Sequence, residues 1–226
     1  HYSQLWRRYH NLTHIDDFLG KFNYCYSKFI KGKKDSDNSE HSDSSDKPKP
    51  NTNIEEEPSI DYINCALAIW FHDVIYTPSR PDNEERSIEV FNQFHSYLQV
   101  NNLDPYNKVN KKKVNEYIQA TKYHFKPGFE PQSFELNLIL DIDISAMGNE
   151  EEDNDISNAN ILYEFSHHFP PTVLLEKRIG FMKYAMEKER LFRTPFFDHL
   201  EQKVRKNNKR LIENSEVELK KLLEHK

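Results

Sequence analysis

Apolar side chains recur at intervals of three and four residues along most of the chain, which is the spacing of α-helices that turn one face toward a core. Asp82 is placed to cap a helix that runs to Leu98, and Glu85 would complete a capping box. The sequence lacks alternating runs and short hairpin turns and has only five glycines, so nothing favours a sheet. The pattern therefore predicts an all-α fold. The other helical segments are 2–31, 108–123, 132–147, 156–169, 174–192 and 195–225.

The segment 59–76 differs from the others because it is apolar on nearly every side. A helix of this kind is typical of the centre of a domain. A buried strand could accommodate ALAIWF, but the apolar run is long for a strand. We therefore predict a buried central helix that ends in the polar pair His72 and Asp73.

Two polar segments interrupt the helical pattern. Residues 32–58 are rich in Ser, Asp, Lys and Pro and show no period. Such a segment cannot bury enough apolar surface to offset the entropy of ordering. We predict a long disordered loop insertion within a single domain that spans residues 1–226. The segment 149–156, which reads NEEEDNDI, predicts an acidic surface loop.

The net charge of the chain, −6, comes from these two segments, because residues 32–58 carry −4 and residues 150–155 carry −5. The remaining chain is mildly basic and would tolerate an anionic substrate. Two cysteines are too few for a disulfide framework. No apolar run approaches the length of a membrane span, and no signal peptide is visible. These features predict a cytoplasmic protein with no membrane partner.

The pair His72–Asp73 is the first candidate for chemistry. Placing an imidazole and a carboxylate at the end of a buried helix is unfavourable unless the two are paired or bind a cation. Taken alone, the pair has an ordinary explanation, in which Asp73 bonds a nearby helix end and His72 is a satisfied core histidine.

Histidines and acids of two further segments join the list of candidates. His10 and His14 would share one helix face, unless Asn11 caps the helix and leaves His10 on the preceding loop. Asp141 and Asp143 lie two residues apart in an apolar run, so at most one of them should face a common site. Together the three segments supply nitrogen and oxygen ligands for a divalent ion, with manganese, iron, zinc, nickel, cobalt and magnesium all suited to them.

The ordered strings HNLTH, FHDVIY and DIDIS resemble the H…HD…D signature of the HD superfamily. The fuller resemblance is to a branch described as predicted metal-dependent phosphohydrolases, with the patterns RxYHNLxHI, FHDVxYxPxxxDNEERS, IxATKxH and DxDxSxxG. In this chain they occupy residues 7–15, 71–87, 118–124 and 141–148. The resemblance implies a single HD-type helical domain and covers nearly the whole chain outside the two polar segments.

This resemblance implies roles for single residues. The metal ligands would be His14, His72, Asp73 and Asp143, the last because DIS is similar to the DLS of relatives. Asp73 would also orient or deprotonate a metal-bound water. His10 would donate a proton to the leaving group, by analogy with cyclic-nucleotide phosphodiesterases that share an HNxxH string.

Three other residues complete the candidate site. His124, in ATKYH, is a candidate extra ligand or substrate-binding group, and Lys122 could contact a phosphate, although a solvated lysine is the simpler interpretation. Glu84 could act as a base, whereas its neighbours Asp82, Glu85 and Arg86 are explained by capping and ion pairing.

The resemblance implies hydrolysis of a phosphate ester or anhydride, with a nucleotide or a related small phosphorylated metabolite as the expected substrate. The alternative is a regulatory protein that retains the site and binds a metal or nucleotide without turnover. The basic C-terminal segment carries interleaved glutamates and no aromatic side chains, so we do not expect a nucleic-acid partner. A homodimer is compatible with the sequence.

Overall fold

The structure is a computed structural model that describes residues 1–39 and 59–224, with the backbone alone for residues 33–39. The described residues form helices and turns without a strand, so the all-α prediction is confirmed. The helices are α1 (Leu12–Ser39), α2 (Tyr62–Phe71), α3 (Asn83–Val100), α4 (Lys111–Thr121), α5 (Phe134–Ile144), α6 (Glu151–Ser166), α7 (Pro171–Met186) and α8 (Glu201–Glu224), with 3₁₀ turns at Ser145–Gly148 and Pro195–Leu200.

Helix α2 is the central element of the domain, as its apolar composition predicts. It contacts α1, α3, α4 and α5, and Cys65, Ala68 and Ile69 are at most 1% exposed. The side chain of Asp61 caps its first turn by accepting from the backbone N–H of Asn64. Tyr62, Ile63 and Trp70 are 38–43% exposed, so part of the helix surface faces solvent. His72, at the end of the helix, is 2% exposed and lies in the interior of the domain.

The segment before α1 corrects the prediction of one helix over 2–31. Asn11 Oδ1 accepts from the backbone N–H groups of Thr13 and His14, at 2.8 and 3.3 Å, and so caps a helix that begins at Leu12. His10 therefore lies on the loop that enters the helix, which is the alternative that the sequence left open. Helix α1 continues to Ser39, into the first residues of the predicted insertion, and residues 40–58 lie outside the described part.

Arg7 attaches this N-terminal loop to the end of α2. Its side chain is 4% exposed, and its guanidinium donates to the backbone carbonyls of Asp73 and Val74 at 2.7 and 3.2 Å. A third, longer bond reaches the carbonyl of Tyr76. Charged donors to buried carbonyls are strong hydrogen bonds, so Arg7 holds the loop that carries His10 beside the His72–Asp73 pair.

The prediction of an acidic loop at 149–156 is wrong. Helix α6 starts at Glu151, and the acidic residues Glu151, Glu152 and Asp153 occupy its first turn. Negative side chains stabilise a helix N-terminus through the helix dipole. Arg210 of α8 adds ion pairs to Asp155 at 2.7 Å and to Glu151 at 3.6 Å. The acidic run is therefore ordered by α8.

The predicted capping box of α3 is also absent. The carboxylate of Asp82 makes no cap bond and pairs with Arg80. Glu85 bonds Lys122 of the neighbouring segment at 2.5 Å. Asn83 instead joins the start of α3 to the preceding loop, because its Oδ1 accepts from the backbone N–H of Thr77 at 2.9 Å.

Gly148 allows the end of α5 to approach the segment before α8. A Cβ atom at this position would lie 2.9 Å from the Cβ of Leu200, closer than real Cβ contacts. The small residue at the end of DIDISAMG is thus required by packing. Across the described residues, no helix combines the length and the apolar character that a membrane crossing requires.

Candidate metal centre

Histidine and aspartate side chains from four elements meet below the end of α2. His14 comes from the first turn of α1, His72 ends α2, His124 follows α4, and Asp143 lies in the last turn of α5. Asp73, the residue after His72, completes the cluster. These positions are far apart in sequence, and the packing of α1, α4 and α5 around α2 brings them together.

The side-chain atoms of the cluster have the spacing of ligands that share one ion. His14 Nε2 is 3.9 Å from Asp73 Oδ2 and 3.8 Å from Asp143 Oδ1. His72 Nε2 is 3.1 and 3.9 Å from the same two oxygens. Ligands about 2.0–2.2 Å from an ion are separated by about 3–4 Å, and the ligand atoms of His14, His72 and Asp143 all lie within 4.8 Å of one another. This group could hold a metal ion.

The histidine nitrogens of the cluster also fit a metal. The Nε2 atoms of His14, His72 and His124 are buried without a hydrogen-bond partner. The Nδ1 atoms of His72 and His124 donate to the backbone carbonyls of Ile69 and Thr121, which fixes their rings and aims Nε2 at the cluster. Buried polar nitrogens without partners are costly, and a cation bound in the group of His14, His72 and Asp143 would satisfy those of His14 and His72. Metal-binding histidines are typically oriented in this way, by a hydrogen bond from the ring nitrogen that does not bind the metal.

The charges of the cluster are strongly coupled. Burial alone would lower the pKa of His72, but the Asp73 carboxylate raises it to about 9. Burial would raise the pKa of Asp73, but His72 holds it well below its usual range. For His14, burial and then the charge of His72 lower the pKa to about 4. Without a metal, the site therefore carries a protonated His72, a neutral His14 and an ionised Asp73.

We expect the metal-free protein to lose stability as pH rises from about 6.5 to about 9. The folded state binds the proton of His72 more tightly than the unfolded chain does, since its pKa is raised. That stabilisation is complete below the unfolded pKa and is lost as pH passes through the folded one. The free energy of unfolding should fall by about 1–3 kcal/mol, measured by urea unfolding with a chelator present.

The control for this titration is His72→Gln. Asp143 raises the pKa of His124 in the same direction, so the variant should show a smaller decline and not a flat profile. The lowered pKa of His14 acts below about 6.5 and leaves this window unaffected. An equal decline in both proteins would show that His72 is not the titrating group.

Asp141 and Asp143 are directed to different places, as their spacing predicts. Asp143 Oδ2 lies 3.0 Å from His124 Nε2, within the cluster. The carboxylate of Asp141 accepts from the backbone N–H groups of Arg193 and Thr194 and from the Thr194 hydroxyl, at 2.6–2.7 Å. Asp143 is therefore the acid of this pair that the structure places with the histidines.

His10 lies beside the cluster and is held by a buried carboxylate. Its Nδ1 is 2.6 Å from Glu164 Oε2, and Glu164 Oε1 accepts from the backbone N–H groups of Tyr9 and His10. Burial would raise the pKa of Glu164, but these hydrogen bonds hold it below its usual range. An ionised Glu164 requires His10 Nδ1 to carry a proton. The His10 ring also stacks on the Tyr76 ring, with centroids 3.8 Å apart, and this contact fixes its orientation. This leaves Nε2 of His10 for proton transfer.

The other predicted residues lie at the margin of the site. Lys122 bonds Glu85 and the backbone carbonyl of Pro81, and it also lines the adjoining pocket. Glu84 is 3.9 Å from the Lys122 ammonium, and burial raises the pKa of Glu84. Its carboxylate makes no hydrogen bond to the cluster within the described residues. The structure brings His124 into the cluster but does not bring Glu84 there.

A pocket of about 950 Å³ opens beside the cluster. His10, His124 and Asp143 contribute to its wall next to the site, and side chains of α6 and α7 form the opposite wall. A volume of this size accommodates a small metabolite. Of the cluster, His124 and Asp143 are therefore reachable by a ligand from the pocket, whereas His14, His72 and Asp73 do not line it.

Sequence reasoning missed two residues that position this site. Glu164 is 0% exposed although it is an acid, and its signal was a lone carboxylate inside the apolar run ILYEF. Arg7 stands beside a second arginine in RRYHN, a pattern typical of surface residues. Neither shows its partner in the sequence, since the partners are 66 to 155 residues away.

Comparison of the chain with protein-family models, with curated proteins and with solved structures finds no match in any of the three.

Proposed function

We propose that this protein is a divalent-metal-dependent phosphohydrolase that acts on a phosphate ester or anhydride of a small metabolite, with a nucleotide as the expected type. The observation that carries the proposal is the set of three buried histidine nitrogens without well-directed hydrogen bonds, gathered beside two carboxylates, with His124 and Asp143 on the wall of an open pocket. The similarity of its sequence to the HD superfamily signature, together with this geometry, favours hydrolysis over binding alone.

The residues of the chain divide the chemistry between them. His14, His72, Asp73 and Asp143 would hold the ion, with His124 as a further nitrogen beside Asp143. A bound divalent ion supplies a water of lowered pKa and screens the charge of a phosphate. Asp73 stays ionised because its pKa is lowered, so it can accept a hydrogen bond from an attacking water and orient it.

His10 is suited to protonate the leaving oxygen. Glu164 accepts the Nδ1 hydrogen bond of His10 and orients its imidazole, in the way that a carboxylate orients a catalytic histidine. The ring is held on Tyr76 and lines the pocket. A phosphate ester bound at the cluster would therefore have a proton donor on the pocket side.

The proposal is tested by phosphate release from a panel of nucleotides and phosphomonoesters, with the protein loaded in turn with manganese, iron, zinc, nickel, cobalt and magnesium. Metal-dependent turnover by the parent, and its loss in Asp73→Ala, is the expected result. Metal binding without turnover across the panel would favour the regulatory alternative. Turnover that persists in Asp73→Ala, or in a chelator, would contradict the proposal.

A further inference from the structure

Arg178 is a partly buried cation on the wall of the pocket without a carboxylate partner. It lies on α7, and its Nε donates to the Asn158 side chain of α6 at 2.8 Å. Its two terminal nitrogens make no hydrogen bond within the described residues, and no carboxylate of that part of the chain lies within ion-pair distance. Burial lowers the pKa of Arg178. A desolvated guanidinium is costly unless an anion satisfies it.

Two tyrosines face the same region of the pocket. Tyr9 and Tyr76 line the pocket together with Arg178. Neither hydroxyl has a hydrogen-bond partner in the described part of the chain. One cation and two hydroxyl donors in one wall form a set that recognises an oxyanion.

Arg178 is separate from the metal centre, whereas the two tyrosines adjoin it. The ring centroids of Tyr9 and His14 lie 5.0 Å apart, and Tyr76 stacks on His10. Arg178 lies on α7 and forms no ion pair with Asp73 or Asp143 among the described residues. A group bound at Arg178 would therefore be distinct from one bound at the cluster.

Much of the pocket wall is apolar, although Lys122, Lys126 and Lys177 also line it. The apolar side chains include Ile161, Leu162 and Phe165 of α6, with Leu174 and Phe181 of α7. The Phe181 ring lies 5.3 Å from the Arg178 guanidinium carbon. A pocket of mostly apolar wall with a few placed polar groups favours a ligand with an apolar or aromatic body.

We propose that Arg178, Tyr9 and Tyr76 form a second anion-binding subsite, so that the substrate carries two phosphoryl groups and an apolar or aromatic body. One phosphoryl group would be hydrolysed at the His/Asp cluster, and the other would be held by Arg178. The apolar body would lie against the α6 and α7 wall. This inference rests on the proposed function for the hydrolytic step alone.

The test compares the parent, Arg178→Gln and Arg178→Lys on three compounds. Adenosine 3′,5′-bisphosphate and ADP carry two phosphoryl groups, and p-nitrophenyl phosphate carries one. Glutamine keeps a donor for Asn158 but removes the charge, whereas lysine keeps the charge. Lys183→Gln, at an exposed position of the same helix outside the pocket lining, is the matched control.

We expect Arg178→Gln to lower kcat/KM at least tenfold for one or both two-phosphoryl compounds, through KM, and to change p-nitrophenyl phosphate less than about twofold. Arg178→Lys should recover part of the loss, and Lys183→Gln should match the parent. Equal effects on all three compounds, or no effect on any, would overturn the subsite.

A parent without turnover would refute the proposed function and leave the subsite testable by binding. Titration of the metal-loaded protein with adenosine 3′,5′-bisphosphate and with AMP measures the contribution of the second phosphoryl group. The parent should favour the bisphosphate about tenfold or more, and Arg178→Gln should lose that preference. An identical preference in both proteins, or none in the parent, would overturn the inference.

Discussion

Asp143→Asn should lower metal-dependent phosphohydrolase activity by about a hundredfold to a thousandfold, because a catalytic ion contributes several kcal/mol to transition-state stabilisation. Asparagine has nearly the size of aspartate but lacks its charge. The substitution weakens the ion pair with His124 at 3.0 Å and removes a charged ligand from the group formed with His14 and His72. The initial rate of phosphate release at saturating metal measures the effect.

The matched control is Asp17→Asn on the exposed side of α1. Asp17 is 52% exposed and, in the described part of the chain, forms its ion pair with Lys21, so its loss should leave the rate within about twofold of the parent. Circular dichroism of both variants shows whether the fold persists. Asp143→Asn with parental activity would remove Asp143 from the site.

Asp141→Ala should reduce the free energy of unfolding by about 3–5 kcal/mol. Asp141 is 1% exposed, and its carboxylate accepts three hydrogen bonds from Arg193 and Thr194. Alanine would leave two backbone N–H groups and a buried hydroxyl without an acceptor. Burial raises the pKa of Asp141 to about 6, so urea unfolding at about pH 8 compares the ionised parent with the variant.

Asp198→Ala is the control for this loss of stability. Asp198 is 53% exposed and pairs with Arg190, and exposed ion pairs of this kind contribute about 0–1 kcal/mol. The metal content of folded Asp141→Ala should match that of the parent. A stable Asp141→Ala protein that has lost its metal would show that the two aspartates have been assigned to the wrong roles.

These two aspartates show how far sequence reasoning reaches. Helical geometry sets side chains two residues apart on different faces, so the sequence predicts that Asp141 and Asp143 have different environments. It does not predict the partners of Asp141, because Arg193 and Thr194 lie in a turn more than fifty residues later. The preference for Asp143 came from the resemblance and not from spacing.

The helical architecture is predictable because apolar periodicity is local. The apolar run around Ile69 specifies a buried helix by itself, and the structure places it at the centre. The ends of elements are less predictable. Asp82 and Glu85 fit a capping box by spacing, but each carboxylate has a cationic partner, Arg80 and Lys122, which only the tertiary structure provides.

The prediction of a loop at the acidic run 149–156 is wrong for a related reason. Read alone, consecutive carboxylates repel and favour a solvated loop. In the folded chain they occupy the N-terminus of α6, where the helix dipole favours negative charge, and Arg210 of α8 faces them. A run of like charges therefore distinguishes a loop from a helix only once the element that faces it is known.

The contacts that hold the His10 ring show the same limit of sequence reasoning within the site. Its sequence neighbours suggest a shared helix face with His14, but Asn11 caps α1 and turns His10 toward Glu164. A dyad between residues 154 positions apart has no local signal. The residues that could hold a metal were visible in sequence, whereas the groups that orient them became visible only in the fold.

The number of divalent ions bound per chain tests the central claim most directly. Elemental analysis after loading and exhaustive dialysis would compare the parent with His72→Ala, and with Asp143→Asn if the former does not fold. We expect at least one ion per chain in the parent and a loss of most of it in the folded variant. A parent that retains no ion, or a variant that retains as much as the parent, would contradict the assignment of the His/Asp cluster as a metal centre.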